Sequence, residues 1–105
     1  MVDHVQQLLD AVFPFFKGLG DPTRQLIVRA LVRAGGSANV SELVEATGLP
    51  QSTVSRQLAL LRTHGIVSST RTGANRTYAI GIGPATLDAL EKLVALLRSC
   101  TDEPP

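Results

Sequence analysis

Apolar residues recur along this chain at two periods, and the change between them divides it. Val5, Leu8, Leu9, Val12, Phe13 and Phe16 repeat at helical spacing and predict a first helix over Val2 to Leu19 with a wide apolar face. Pro14 removes a backbone donor and crowds the preceding turn, so this helix is expected to kink or divide near Phe13, with Gly18 and Gly20 ending it. Asp21-Pro22 opens a second helix, an N-cap acceptor followed by a first-turn proline. Leu26, Ile27, Ala30, Leu31 and Ala34 form its buried stripe, and Gly35-Gly36 stop it. A brief third helix is expected from an N-cap at Ser41 through Thr47, with Leu43, Val44 and Ala46 as its apolar contacts and Gly48 at its end. After Leu49-Pro50 comes a fourth helix. Val54, Leu58 and Leu61 share one face of it, and Ser52, Ser55, Arg56, Ala59 and Thr63 share the opposite one.

The period then shortens to two. Ile66 to Thr72 is β-branched and hydroxyl-rich, Gly73-Ala74-Asn75 is a turn signal, and Tyr78, Ile80 and Ile82 alternate within Arg76 to Ile82. This is a hairpin with Arg71 and Arg76 flanking its tip. Gly83-Pro84 begins a last helix, on which Leu87, Leu90, Val94 and Leu97 make one stripe and Leu93 and Leu96 a second beside it. That is more apolar circumference than one small core needs, so this helix is expected to pack against a second copy of the chain, and the Phe-bearing first helix against the domain or that copy. Asp102 to Pro105 should fray. Two short helices joined by a Gly-containing turn describe a helix-turn-helix, and a hairpin after it describes a wing. The expected fold class is mainly α with a small β-hairpin, a winged helix-turn-helix in the order α-α-α-α-β-β-α. It forms one domain over 1–105, with dimerisation helices at 1–19 and 84–100, the helix-turn-helix at 41–64 and the wing at 66–82.

Composition narrows the class more than the function. The 105 residues suffice for one modest core, and 44% apolar with 18% charged residues is the balance of a globular domain. No apolar run approaches the roughly 20 residues that cross a bilayer, so no membrane partner is expected. The first residues carry two acids and no basic stretch, unlike a signal peptide, and the single Cys100 excludes an internal disulfide framework. Together these predict a cytoplasmic protein. There is no nucleophile-base pair, carboxylate pair or phosphate loop, and two His and one Cys on separate elements do not make a catalytic site.

The distribution of charge says more than its net value of +1. Residues 46–87 contain no Asp or Glu and four arginines, Arg56, Arg62, Arg71 and Arg76, whereas the flanking segments sum to −1 and −2. An acid-free basic window is the footprint of a surface that faces phosphates. The outer face of the fourth helix is narrow, short-chained and hydrogen-bonding, as a helix entering the major groove requires. Gln51, Ser52, Thr53, Ser55, Arg56 and Gln57 are therefore expected to read or frame bases, Arg suiting guanine and Gln suiting adenine. Arg71 and Arg76 would anchor the wing on the backbone or in the minor groove. An ordinary amphipathic helix capped by a plain hairpin is the competing description of the same residues, and a module that binds a protein partner is the competing function. Arg24, Arg29 and Arg33 read as solvated charges, with contact of one of them to a phosphate as the alternative, and His64 as a helix-end group favoured by the dipole.

Four stretches in sequence, LGDPTRQLI from Leu19, QSTVSRQLALLR from Gln51, Gly65-Ile66-Val67, and the Arg71/Gly73/Arg76/Tyr78 hairpin, resemble the ArsR/SmtB family of small homodimeric winged-helix repressors. The resemblance spans essentially the whole chain and implies double-stranded DNA as partner, an inverted-repeat operator, and a dimer built from the first and last helices. Members often carry His at position 56 or 57, where this chain has Arg56-Gln57. Metal-sensing members place a Cys pair in the third helix, or Asp, His and Glu ligands on the last. Here the third helix has neither Cys nor His, and the last offers only Asp88 and Glu91. A closed transition-metal site needs about four ligands. No metal and no cofactor are therefore expected, and regulation is left to an unknown effector or protein partner. One variant remains, in which His4 and Asp3 join a site across the dimer.

Overall fold

The computed structural model describes Val2–Thr101, the side chain of Val2 excepted; the fraying expected of residues 102–105 falls outside the described residues. Among the described residues five helices and three strands follow in the order α1 (Val2–Leu19), α2 (Pro22–Arg33), β1 (Ser37–Asn39), α3 (Val40–Thr47), α4 (Gln51–Thr63), β2 (Val67–Thr72), β3 (Asn75–Ile80) and α5 (Pro84–Thr101).

Local chemistry explains most of these boundaries. The Asp21 carboxylate accepts from the Thr23 and Arg24 amides at 2.8 and 3.1 Å, with Pro22 in the first turn, so α2 starts where the sequence places it. α3 starts earlier than expected. Its N-cap is Asn39 rather than Ser41, because Asn39 Oδ1 accepts from the Glu42 amide at 2.8 Å while Glu42 Oε1 accepts from the Asn39 amide at 2.9 Å. This capping box satisfies two orphan donors reciprocally, which Ser41 could not do with Val44 three residues on. Pro14 does not divide α1, which runs as one element through it, and Gly18 lies inside the helix rather than ending it.

The hairpin extends into a three-stranded antiparallel sheet of order β1-β3-β2, the strand β1 being unexpected. Asn75 pairs with Thr72 and is thus the first strand residue, so a two-residue turn at Gly73-Ala74 closes the wing, with Gly73 at φ +64°. Strand β3 stops at Ile80 instead of Ile82: the Ile80 amide donates to Gly36 O and the Gly81 amide to Ile66 O, which turns the chain toward α5.

Apolar burial forms two clusters. The main core joins Ile27 and Leu31 of α2, Leu43 of α3, Val54, Leu58 and Leu61 of α4, and Ile66 and Val67 at the start of the wing. The second lies between α1 and α5, where Leu8, Val12 and Ala89 are buried with Leu90, Leu93 and Leu96 packed around them. Leu90 therefore sides with Leu93 and Leu96. The exposed stripe of α5 is Leu87, Val94 and Leu97.

Candidate nucleic-acid interface

Helix α4 is held on the main core by Val54, Leu58 and Leu61, each without exposed surface. That seating turns Gln51, Ser52, Ser55, Arg56, Ala59 and Thr63 outward, as the spacing predicts. Thr53 and Gln57 are half-buried at the border of this face. Pro50 caps α4 without a side-chain hydrogen bond, which leaves its first-turn amides to other partners. The far end is closed tightly. The Ile66 amide donates to Leu61 O at 2.9 Å and the Gly65 amide to Arg62 O at 3.1 Å, the paired bonds of a Schellman motif that requires φ > 0 at Gly65, here +75°. His64 adds a bond from Nδ1 to Leu60 O at 2.7 Å, so the histidine is a helix-end group as expected.

In the wing, Arg71 and Arg76 occupy directly opposed positions of β2 and β3, on the same side of the hairpin as Val67, Tyr78 and Ile80. Arg71 is exposed; Arg76 is half-buried and donates from Nη1 to Ser69 Oγ at 2.9 Å. Like charges directly across a strand pair are unfavourable unless an anion lies between them. Between α4 and the wing lies a cleft of about 360 Å³ lined by Ala59, Arg62, Thr63 and Tyr78. Arg62 was part of the basic window but not among the expected contacts, and the structure sets it beside them. Residues 46–87, which include α4 and the wing, contribute no acid to this surface.

One arginine departs from its sequence reading. Arg24 is not a solvated charge. Its Nε donates to Gly18 O at 2.8 Å, Nη2 to Lys17 O at 3.3 Å, and Nη1 to Gln57 Oε1 at 3.1 Å. With Gln25 Nε2 donating to Leu19 O at 2.7 Å, side chains of α2 satisfy three carbonyls at the C-terminal end of α1. Gln57, expected to read adenine, has its amide oxygen engaged by this guanidinium.

Metal-ligating groups do not converge. Among the described residues no group of three or more His, Cys, Asp or Glu side chains is placed to hold an ion. His4 lines a shallow pocket between α1 and α5 with Asp88, but Lys92 lines it too, and a pair of donors beside an ammonium does not fit a closed cation site. Cys100 is free and exposed. No described helix is long and apolar enough to cross a membrane.

Similarity to known proteins agrees with this architecture. Residues 21–69 match the profile of the bacterial regulatory protein arsR family. A relative from Methanocaldococcus jannaschii, described as an uncharacterised HTH-type transcriptional regulator, is 37% identical over 65 residues, covering 62% of this chain and 72% of that protein. Matches to three further curated regulators cover 52–56% of those proteins. The crystal structure of the transcriptional repressor BigR from Xylella fastidiosa superposes with a TM-score of 0.66 at 28% identity, covering 99% of both chains. The homodimeric winged helix-turn-helix domain Mb0332 from Mycobacterium bovis gives 0.67 at 27% identity, covering 96% of this chain and 92% of that one. These relatives are regulators rather than enzymes, and this winged helix-turn-helix chain belongs to the ArsR family of transcriptional regulators.

Proposed function

We propose that this protein is a cytoplasmic transcriptional repressor that binds an inverted-repeat operator in double-stranded DNA as a homodimer. The observation that carries the reading is the pairing of an acid-free, short-chained outer face on α4 with two opposed arginines at the wing tip. Ser52, Ser55 and Arg56 form the reading face, with Gln51 and Thr53 framing it at the helix start. Gln57 stands at its edge, held by Arg24. Arg71 and Arg76 grip the sugar-phosphate backbone, and Arg62 lies in the cleft where a strand would pass between α4 and the wing. A second copy meets the first through the exposed apolar faces of α1 and α5, which sets the two α4 helices about 34–36 Å apart in successive major grooves. Its regulation does not use the metal sites of metal-sensing relatives; an effector or protein partner supplies it.

Selection of bound duplexes from random fragments, followed by titration at several salt concentrations, tests the proposal. Arg56→Ala should cost about 1–3 kcal/mol on the selected operator and relax the base preference at one position. An equal loss on operator and random DNA would exclude base reading by Arg56. Arg71→Ala and Arg76→Ala should each weaken all sequences alike and reduce the slope of log affinity against log salt by about one. A slope unchanged in both variants would take the wing out of the interface. A chain that shows no salt-dependent retention of any duplex would instead be a protein-interaction module.

A further inference from the structure

The guanidinium of Arg24 ties three helices together. Its Nε and Nη2 hold the Gly18 and Lys17 carbonyls at the end of α1, and its Nη1 reaches the Gln57 amide oxygen on α4. Its own backbone is fixed, because the Arg24 amide is one of the two that the Asp21 cap holds. A planar guanidinium has its donors at set angles, so three acceptors on two other helices leave it little freedom. A second contact lies at the C-terminal end of α4. Gly18 is buried so closely against the chain after α4 that a Cβ there would overlap Ile66 Cδ1 and lie 2.8 Å from His64 Cβ. Two separated points, Gln57 in mid-helix and His64 at the C-cap, fix both the position and the direction of α4 against the end of α1. Phe13 and Phe16, the exposed aromatic residues of α1, lie within two turns of these contacts on the same helix.

We infer that Arg24 is a positioning residue that makes α4 and the dimer-forming face of α1 one rigid body, and so sets which half-site spacing the protein accepts. The inference rests on the homodimer and inverted-repeat reading above. With the strut in place, the distance between the two reading helices follows from the dimer interface alone. Without it, α4 is attached through its apolar core face and the Gly18 contact, and can tilt to meet half-sites at other separations. Gln57 serves here as an acceptor for Arg24 rather than as a reader of adenine. The strut also couples in the opposite direction, since DNA that fixes α4 biases the placement of α1.

The test compares full-length wild type, Arg24→Ala and Gln57→Met on a selected operator. Each is also titrated on versions with the half-site spacing lengthened or shortened by one or two base pairs, and on a duplex with a single half-site. Gln57→Met keeps the side-chain length and leaves the α1 carbonyls capped by Arg24, so it carries the test even if Arg24→Ala folds poorly. Wild type should prefer one spacing; with each full site read relative to that protein's own single half-site affinity, both variants should lose about five- to tenfold of that preference. A spacing preference unchanged in the folded variants overturns the inference, as does a loss that is equal on every duplex. A wild-type protein that is monomeric, or indifferent to spacing, overturns the homodimer reading and the strut with it.

Discussion

Phe13→Glu is expected to convert the dimer to monomer at micromolar concentration and to lower operator affinity by about a hundred- to ten-thousandfold, the contribution of a second linked half-site. Phe13 is 54% exposed and Phe16 44% exposed on α1, while Leu87, Val94 and Leu97 are 45–54% exposed on α5. Scattered exposed apolar residues are ordinary, but five on two helices packed against each other, two of them Phe, call for a cover. A carboxylate at position 13, once covered by an apolar partner face, must be desolvated, which costs several kcal/mol. In the single chain Phe13 is mostly solvated, so the same substitution should leave the helical content and single half-site binding intact. Sedimentation velocity with half-site titration reads both quantities. Val32→Glu is the control: Val32 is 63% exposed on α2, which is neither of the two helices expected to form the interface, and should leave the dimer in place. Persistence of the dimer in Phe13→Glu would move the interface to another face.

Features set by residues a few positions apart are legible in the sequence alone. The Asp21-Pro22 start of α2, the division of α4 into a buried face and a polar one, and the placing of Arg71 and Arg76 at the wing tip each follow from local spacing. The Asn39–Glu42 box was also readable, because an Asx followed three residues later by Glu is a helix start in its own right. Ser41 drew attention only as a common cap residue. Strand β1 was a different kind of omission. Ser37-Ala38-Asn39 has little strand propensity, and it is extended because β3 offers a free edge to pair with, a partner some forty residues away.

Of the site, composition was readable and connectivity was not. The acid-free window marked out α4 and the wing, and it contained Arg62 without revealing the cleft beside Tyr78. Arg24 looked solvated because its acceptors, two backbone carbonyls of α1 and the side chain of Gln57, become neighbours only when three helices assemble. Gly18 looked like a helix breaker for a related reason. Sequence shows that a glycine lacks a side chain, but only packing shows that Ile66 and His64 occupy the space where one would be. The pattern of α5 gave the amount of apolar surface correctly and its partition incorrectly, since Leu90 joins the α1 contact through the geometry of two helices rather than one.

Leu58→Ala should destabilise the folded chain by about 2–5 kcal/mol, the range for a large-to-small change in a closed core. Leu58 has no exposed surface and lies in the cluster that joins α2, α3 and α4 to the start of the wing. Removing its isobutyl group loses transfer free energy and leaves a cavity that helices pinned by the Asp21 cap and the Gly65 motif cannot easily close. A domain of this size has about 5–15 kcal/mol in total, so the loss is a large share of it. In thermal unfolding at fixed protein concentration the midpoint should fall by at least about 10 °C. Because a dimer gains stability by mass action, the concentration must be matched between variants. Val32→Ala, on an exposed position of α2, should change stability by no more than about 0.5 kcal/mol. Leu58 points away from the reading face, so DNA affinity measured well below the variant's midpoint should match wild type. Operator affinity lost in proportion at low temperature would mean that the α4 face itself is deformed, and that the recognition surface depends on core packing as much as on the arginines it displays.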